Sequence, residues 1–503
     1  MPLRSAGGRI APISATLWTH VLSARSGASN QGDFMSSSTI HADVAVIGAG
    51  TAGMHAFSTA RRAGAKVVMI DHGPLGTTCA RVGCMPSKAV LHAAKRWSTL
   101  QALLSPGSAL PAGHTTPQQL WTQALAIRDE LVAGNVRQVH QLAAEDLLPG
   151  SARFVDPDTV ALSDGRRVQA RAFIVATGSA AIKPADLQTA LGDALITTDE
   201  LFYLPELPRS VAVMGLGAIG LEMGVALQRL GVDVAAAGRS AVVAKVADPE
   251  VAQAASTYFA QQLPMALGEK QITVTRAEGG VRMQAGKLEH QAQYLLAALG
   301  RAPRLQGLEM ALAGVQLDDQ WRPVMDAAQP GSLRCAGSMV FLAGDSAPGP
   351  ALMHEAGHEG TLAAQQALRA LGDRDWPHIA ERHRTTPMSI VFSDPDIAEV
   401  GTRFDRLAAD AVIGTVTGKG SGRSKIMHAP HHVLRMYAER STGRLLGASL
   451  LCEGGEHLAH QLAWAVQRGE TVEGMLQLPY YHPTVEEMID TALRDMRRSL
   501  QSA

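Results

Sequence analysis

The chain has 503 residues, 46% of them hydrophobic; at about 100–200 residues per domain this is roughly three or four domains with sizeable cores. A formal net charge of −1 and 4% aromatics argue against nucleic acid or an anionic lipid surface as partner, and no apolar run of about 18 residues marks a membrane span. Four cysteines are too few for a secreted disulfide scaffold.

Residues 1–40 are rich in Ser, Ala and Gly, carry Arg4, Arg9 and Arg25, and hold one acid before Met35, Asp33. An organellar transit peptide has that composition. The plainer reading is a disordered tail, or an upstream start preceding a true start near Met35, with the protein in the cytoplasm.

The first strong element is VAVIGAGTAG, residues 44–53. An apolar, β-branched run enters the glycines, a helix-compatible stretch follows, and a second strand, KVVMID, ends at Asp71. Gly48 permits the tight turn, Gly50 lets backbone approach a pyrophosphate, and Gly53 allows helix and strand to pack closely. The helix N-terminus offers free N–H groups to phosphates, and Asp71 can accept hydrogen bonds from ribose hydroxyls. Strand, turn, helix and acid together predict a dinucleotide-binding βαβ unit.

GTTCARVGCMPSK, residues 76–88, comes next. Cys79 and Cys84 form a close pair in a cysteine-poor chain, beside Lys88 and a helix start marked by Pro86. A cysteine near a helix N-terminus and a lysine has its thiolate stabilised, which dithiol chemistry requires. Zinc would need further ligands at comparable spacing; Cys335 and Cys452 have none nearby, and no metal is expected.

The pattern from Ala89 to about Leu148 is helical, with strands returning around Ala152–Phe154, Thr159–Leu162 and Ala172–Ala176. VAVMGLGAIG, residues 211–220, opens a second βαβ unit on Gly215, Gly217 and Gly220. Where Asp71 closed the strand of the first unit, Gly238 stands here, followed by Arg239 and later Lys245. An acid at this place favours a free ribose 2′-OH, whereas an Arg accommodates a 2′-phosphate; the pattern leans toward NADP(H). After the strand VFLAGD a helix is expected over Gly349–Ala370. The last part, from about Thr386, reads as strands (SIVFS, HVLRMYAE, LLGASLL) and then two helices, an α+β unit suited to an interface. Near the end, YYHPTVEEMID contains His482 and Glu487; a carboxylate returning to the imidazole gives an acid/base couple.

These residues together resemble the pyridine nucleotide–disulfide oxidoreductases, their dihydrolipoamide dehydrogenase branch most closely, from about His41 to the end. The family's G-G-T-C-x-x-x-G-C-x-P-S-K is similar to residues 76–88, with Thr77 replacing one glycine and Thr78 beside the first cysteine. Its A-T-G turn is matched by Ala176, Thr177 and Gly178, a second such turn by residues 297–303 with Gly300, its G-D step by Asp345, and its H-P-T-x-x-E by His482, Pro483, Thr484 and Glu487. The resemblance implies FAD with Asp345 at its ribityl chain, Glu222 paired with Lys88 near the flavin N5, and NAD(P)(H) at the second glycine turn. It also implies the division of labour in which Cys79 exchanges with substrate and Cys84 faces the flavin.

The implied fold class is α/β: two Rossmann-like dinucleotide-binding domains, for FAD and NAD(P), plus an α+β C-terminal dimerisation domain. The expected boundaries are an FAD domain over 41–190 with a helical insert at 89–150, an NAD(P) domain over 191–317, a return to the FAD domain over 318–384, and an interface domain over 385–503. In the implied homodimer, His482 acts on the disulfide of the other subunit.

The expected activity is oxidation of dihydrolipoamide, free or on a lipoyl domain, by NAD(P)+, with a 2-oxo acid dehydrogenase complex as a candidate partner. The alternatives are an NADPH-dependent reductase of another disulfide, as in glutathione reductase, and a mercuric-reductase-like enzyme. The latter is disfavoured because His482 is kept and no cysteine pair follows Cys452. A non-catalytic flavoprotein scaffold is the alternative of a different class. Departures from the dehydrogenases are Gly238 for their acid and Tyr480 where they often carry a further histidine.

Overall fold

The computed structural model of the chain describes residues 39–104, 113–327, 331–349, 351–372 and 385–501. The tail expected over residues 1–40 lies outside these except for Thr39 and Ile40, which already pair with Arg167 and Val168.

The strand Thr39–Ile47 ends in four buried residues, the continuous apolar run of a parallel strand covered on both faces. It lies between Val67–Asp71 and Arg167–Val175, both parallel to it. Leu147–Pro149 extends the sheet in parallel beyond Val67–Asp71, and the antiparallel Thr159–Leu162 and Ala152–Asp156 extend it on the other side. The chain then leaves this sheet and builds a second one, wholly parallel, in the order Met265–Leu267, Asp233–Gly238, Ser210–Met214, Tyr294–Ala297, Leu195–Ile196. A three-stranded antiparallel meander, Ile272–Ala277, Gly280–Ala285 and Leu288–Ala292, packs beside it. Val340–Leu342 returns to the first sheet, parallel to Arg167–Val175.

The C-terminal part is a five-stranded antiparallel sheet, ordered Met388–Val391, Asp396–Gly401, Leu445–Cys452, Val433–Ala438, Val412–Thr417. Helices Gly455–Arg468 and Glu487–Gln501 bury apolar stripes on it, among them Leu458, Leu462, Ile489, Leu493 and Met496. The α/β class with two Rossmann-type sheets and a C-terminal domain is therefore present as expected.

Several elements depart in detail from the sequence reading. The helix after the cysteines starts at Cys84 and runs to Leu103, so Pro86 is its third residue; the missing N–H costs nothing in a first turn. The helical stretch expected to about Leu148 ends sooner, because Pro117–Ala143 is followed by a short strand at Leu147–Pro149. In the C-terminal sheet two strands, Asp396–Gly401 and Val412–Thr417, were not anticipated. The first mixes polar and small residues with its apolar ones; the second is a short β-branched run interrupted by Gly414. No helix among the described residues is long and apolar enough to cross a membrane.

Candidate active site

The two glycine turns have the same construction. Gly48 and Gly215 have φ of 111° and 100°, and a Cβ on either would strike the carbonyl oxygen of Ala176 or Ala298, at 2.2 and 2.4 Å. A Cβ on Gly53 or Gly220 would lie 1.8 Å from the oxygen of Gly48 or Gly215. These four must be glycine for the fold itself. Gly50 and Gly217 differ: nothing lies within 4 Å of the place a Cβ would take, and each caps a helix, Thr51–Arg62 or Ala218–Arg229, without a side-chain hydrogen bond and without an acid in the first turn. Open space, unpaired N–H groups and a positive dipole end converge there, as a pyrophosphate requires. The residues therefore fit a dinucleotide at each turn.

The ends of the neighbouring strands set the two turns apart. Gly48 N donates to Ile70 O at 2.7 Å and Gly215 N to Ala237 O at 2.8 Å, which makes Asp71 and Gly238 equivalent positions. Asp71 ties the first turn down, accepting from Ala49 N at 2.7 Å and Gly73 N at 2.6 Å; each oxygen keeps a further lone pair for a ribose. Gly238 offers no carboxylate and packs on Leu216. Arg239 beyond it is exposed.

Cys79 lies in the short helix Thr78–Val82, whose N-cap is Thr77. That residue has φ 51°, a value at which a β-branched side chain is strained by about 1–3 kcal/mol; its hydroxyl oxygen accepts from Ala80 N at 3.1 Å, which offsets part of the strain. Cys84 begins the next helix, is exposed, and is a free thiol like half-buried Cys79. The two share one proton. The Cys79 thiol donates to Cys84 and is itself pushed far up, while Cys84 is pushed down to about 6 by that hydrogen bond and by the charge of Lys88.

Lys88 Nζ is held by both carboxylate oxygens of Glu222, at 3.1 and 2.9 Å. Glu222 is only 4% exposed and also accepts from Phe392 N at 2.9 Å; Lys88 sits 4.5 Å above the Phe392 ring. One cation is thus fixed jointly by the cysteine helix, the second nucleotide unit and the C-terminal part. Phe392 was not anticipated, and no local pattern marks it. On the A-T-G turn, Gly178 has φ 70° and Thr177 Oγ1 donates to Arg304 O at 2.7 Å. Ser179 Oγ donates to Asp345 Oδ2 at 2.6 Å and accepts from Arg301 Nε at 2.8 Å. Ser179 and Arg301, each adjacent to an anticipated glycine, join Asp345 to both turns. Gly300 has φ 106° and room beside it.

His482 and Glu487 form a couple at the far end. His482 Nδ1 lies 2.8 Å from Glu487 Oε1, and the other carboxylate oxygen accepts from Thr484 N at 3.0 Å. The hydrogen bond with His482 holds Glu487 below the usual carboxylate range. With Nδ1–H donating to the carboxylate, Nε2 keeps a lone pair for a proton. His482 is 77% exposed, so the couple faces outward from its own chain. Beside it, Trp464 and Tyr481 are exposed at 63% and 82%.

Comparison with known proteins shows the family. The family model described as "Pyridine nucleotide-disulphide oxidoreductase" matches residues 42–360, and that family's dimerisation domain matches residues 387–493. The chain is 30% identical over 482 residues to dihydrolipoyl dehydrogenase 3 of Pseudomonas aeruginosa, covering 92% of this chain and 99% of that one. It is also 30% identical over 469 residues to mercuric reductase of Streptomyces lividans, with 90% and 95% covered. Among solved structures, the flavoprotein disulfide reductase RclA of Escherichia coli superposes with a TM-score of 0.74 at 20% identity, covering 90% of this chain and 99% of that one; at that identity the likeness concerns the fold.

Proposed function

The chain belongs to the pyridine nucleotide-disulphide oxidoreductases, a family of FAD- and NAD(P)-dependent enzymes, and from that premise we propose that it oxidises dihydrolipoamide through a Cys79–Cys84 disulfide. The observation that carries this reading is the asymmetric setting of the pair: Cys84 opens a helix beside Lys88, which both Glu222 oxygens hold, while half-buried Cys79 lies in the short helix before it, and Cys84 is pushed toward its thiolate.

That asymmetry assigns the chemistry. A thiolate displaces the better leaving group fastest, so attack falls on Cys79 and expels Cys84. His482, oriented by Glu487, takes the proton from one substrate thiol at Nε2. The substrate sulfur bonds to Cys79 Sγ, the Cys79–Cys84 bond breaks, and the electron pair goes to Cys84 as a thiolate. The second substrate thiol then attacks the substrate sulfur of the mixed disulfide, its proton passing to the departing Cys79 sulfur, so that the substrate's ring disulfide closes and Cys79 leaves as a thiol. Lys88, braced by Glu222, offsets the charge left on Cys84. The first glycine turn, with Asp71 and Asp345, would hold FAD, which would supply the two-electron chemistry that links Cys84 to a nicotinamide at the second turn.

Because His482 faces outward within its own chain, the enzyme is proposed to act as a homodimer in which His482 of one protomer serves the cysteine pair of its partner. A lipoyl domain of a 2-oxo acid dehydrogenase complex is the macromolecular form of the same substrate. Four cysteines in 503 residues fit a reducing compartment such as the cytoplasm. For the coenzyme, Gly238 supplies no acid and exposed Arg239 can meet a 2′-phosphate, which supports NADP(H). The same two residues favour a second reading, NADPH-dependent reduction of another disulfide. Likeness to a mercuric reductase is as high as to a dehydrogenase, but the His482–Glu487 couple supports a dithiol substrate.

The test of the pair is spectroscopic. Cys84→Ser in the holoenzyme abolishes the long-wavelength absorbance of the two-electron-reduced form while Cys79→Ser keeps a band; an unchanged band in Cys84→Ser contradicts the assignment.

A further inference from the structure

Away from the glycine turns and the cysteines, two strand ends bring three metal-ligating side chains together. His431 and His432 precede the strand Val433–Ala438, and Glu453 follows its neighbour Leu445–Cys452. Their ligand atoms all lie within 4.8 Å of one another. The sequence predicts no metal, because ligands close together in the chain would be its mark; these meet only through sheet pairing.

His432 Nδ1 lies 2.8 Å from Ser424 Oγ, and its Nε2 faces Glu453, 3.1 Å from the backbone N and against Oε2. His431 Nε2 is buried without a hydrogen bond, 3.5 Å from Glu453 Oε1. Ligands about 2.0–2.1 Å from a tetrahedral Zn2+ are about 3.3 Å apart, close to that separation.

We propose that His431, His432 and Glu453 form a binding site for one divalent transition-metal cation of the Zn2+ class. Two imidazoles and a carboxylate are a recurrent Zn2+ ligand set. The hydrogen bond from His432 Nδ1 to Ser424 fixes the ligating tautomer, the usual outer-shell arrangement. The fourth position faces a cleft lined by Tyr258, His428, His431 and Glu453, which gives an entry path and room for water. Tyr258, from the helix Pro249–Ala260, lies over the His431 ring with centroids 4.2 Å apart. The cation therefore ties the ends of two C-terminal strands together beneath a helix of the second nucleotide unit. Cys452 Sγ is 3.6 Å from His432 Nδ1, the nitrogen turned away from Glu453, and is not a ligand.

Zn2+ titration of the oxidised, metal-stripped FAD holoenzyme tests this, because closing Cys79 and Cys84 into a disulfide removes the competing dithiol. One Zn2+ binds per chain, and His431→Ala and Glu453→Gln each lower the affinity at least tenfold while circular dichroism and flavin absorbance stay as in the parent. Glu453→Gln preserves volume and serves where the alanine variant fails to fold. Co2+ in the same site gives tetrahedral visible bands without a thiolate charge-transfer band. Absence of stoichiometric Zn2+, affinity unchanged in both variants, or a thiolate band with Co2+ would overturn the site.

Discussion

A thiol in the first turn of a helix meets unpaired N–H groups, and Cys84 does so with Lys88 one turn further on. Its ordinary value of 9.0 is pushed down to about 6, mainly by the hydrogen bond from Cys79 and then by Lys88. Above that pH the reduced pair carries one negative charge on Cys84; below it both sulfurs are protonated. In the reduced enzyme, alkylation by iodoacetamide is therefore nearly flat with pH above about 6 and falls about tenfold per pH unit below it. A midpoint near 9 would show that neither Lys88 nor Cys79 stabilises the thiolate. At the proposed other half of the site, His482→Gln keeps bulk and removes the proposed base. Positioned acid–base groups contribute about 10²–10⁴-fold, and a loss of that size in dihydrolipoamide turnover is the expected result. Turnover within threefold of the parent rules out His482 as the base.

At the scale of elements, the joints matter more than the elements. Asp248 is fully buried; it caps the helix Pro249–Ala260 through Glu250 N and Val251 N, and it accepts from Arg435 Nη1 at 3.1 Å and Tyr437 Oη at 2.8 Å in the C-terminal sheet. Burial and that carboxylate push the Tyr437 hydroxyl far up, so it stays a donor. Asp248→Ala leaves Arg435 buried with one partner, half-exposed Glu250. Breaking a buried pair costs about 3–5 kcal/mol, to be read as a fall in denaturant midpoint; a change below about 1 kcal/mol contradicts the clamp. Little of this joint was legible in the sequence, because an aspartate before Pro249 reads only as a helix cap. The glycine turns, by contrast, were fully legible: backbone geometry excludes any other residue at Gly48, Gly53, Gly215 and Gly220, so the constraint is written into the residue type. The meander at Ile272–Ala292 and the strand Asp396–Gly401 went unread because their exposed faces are polar and their extension comes from neighbours.

For the whole molecule, the chain builds one parallel sheet, leaves it for a second, and returns to the first with Val340–Leu342. That route carries the cysteine helix from the first unit up to Glu222 of the second and Phe392 of the third, so that Lys88, Glu222 and Phe392 meet at one place. Motif residues far apart in sequence were legible singly; that Phe392 and Ser179 complete their surroundings was not, since neither residue type implies a partner. His482 faces outward from its own chain, and the role proposed for it rests on the assembly proposed above. The proposed dithiol substrate is tested by steady-state turnover of purified holoenzyme on dihydrolipoamide and glutathione disulfide with NAD(H) and NADP(H). Dihydrolipoamide oxidation is expected to dominate, with the higher kcat/KM for NADP+. Glutathione disulfide reduction outrunning it, or no turnover of dihydrolipoamide with either coenzyme, would rule out dihydrolipoamide as the substrate.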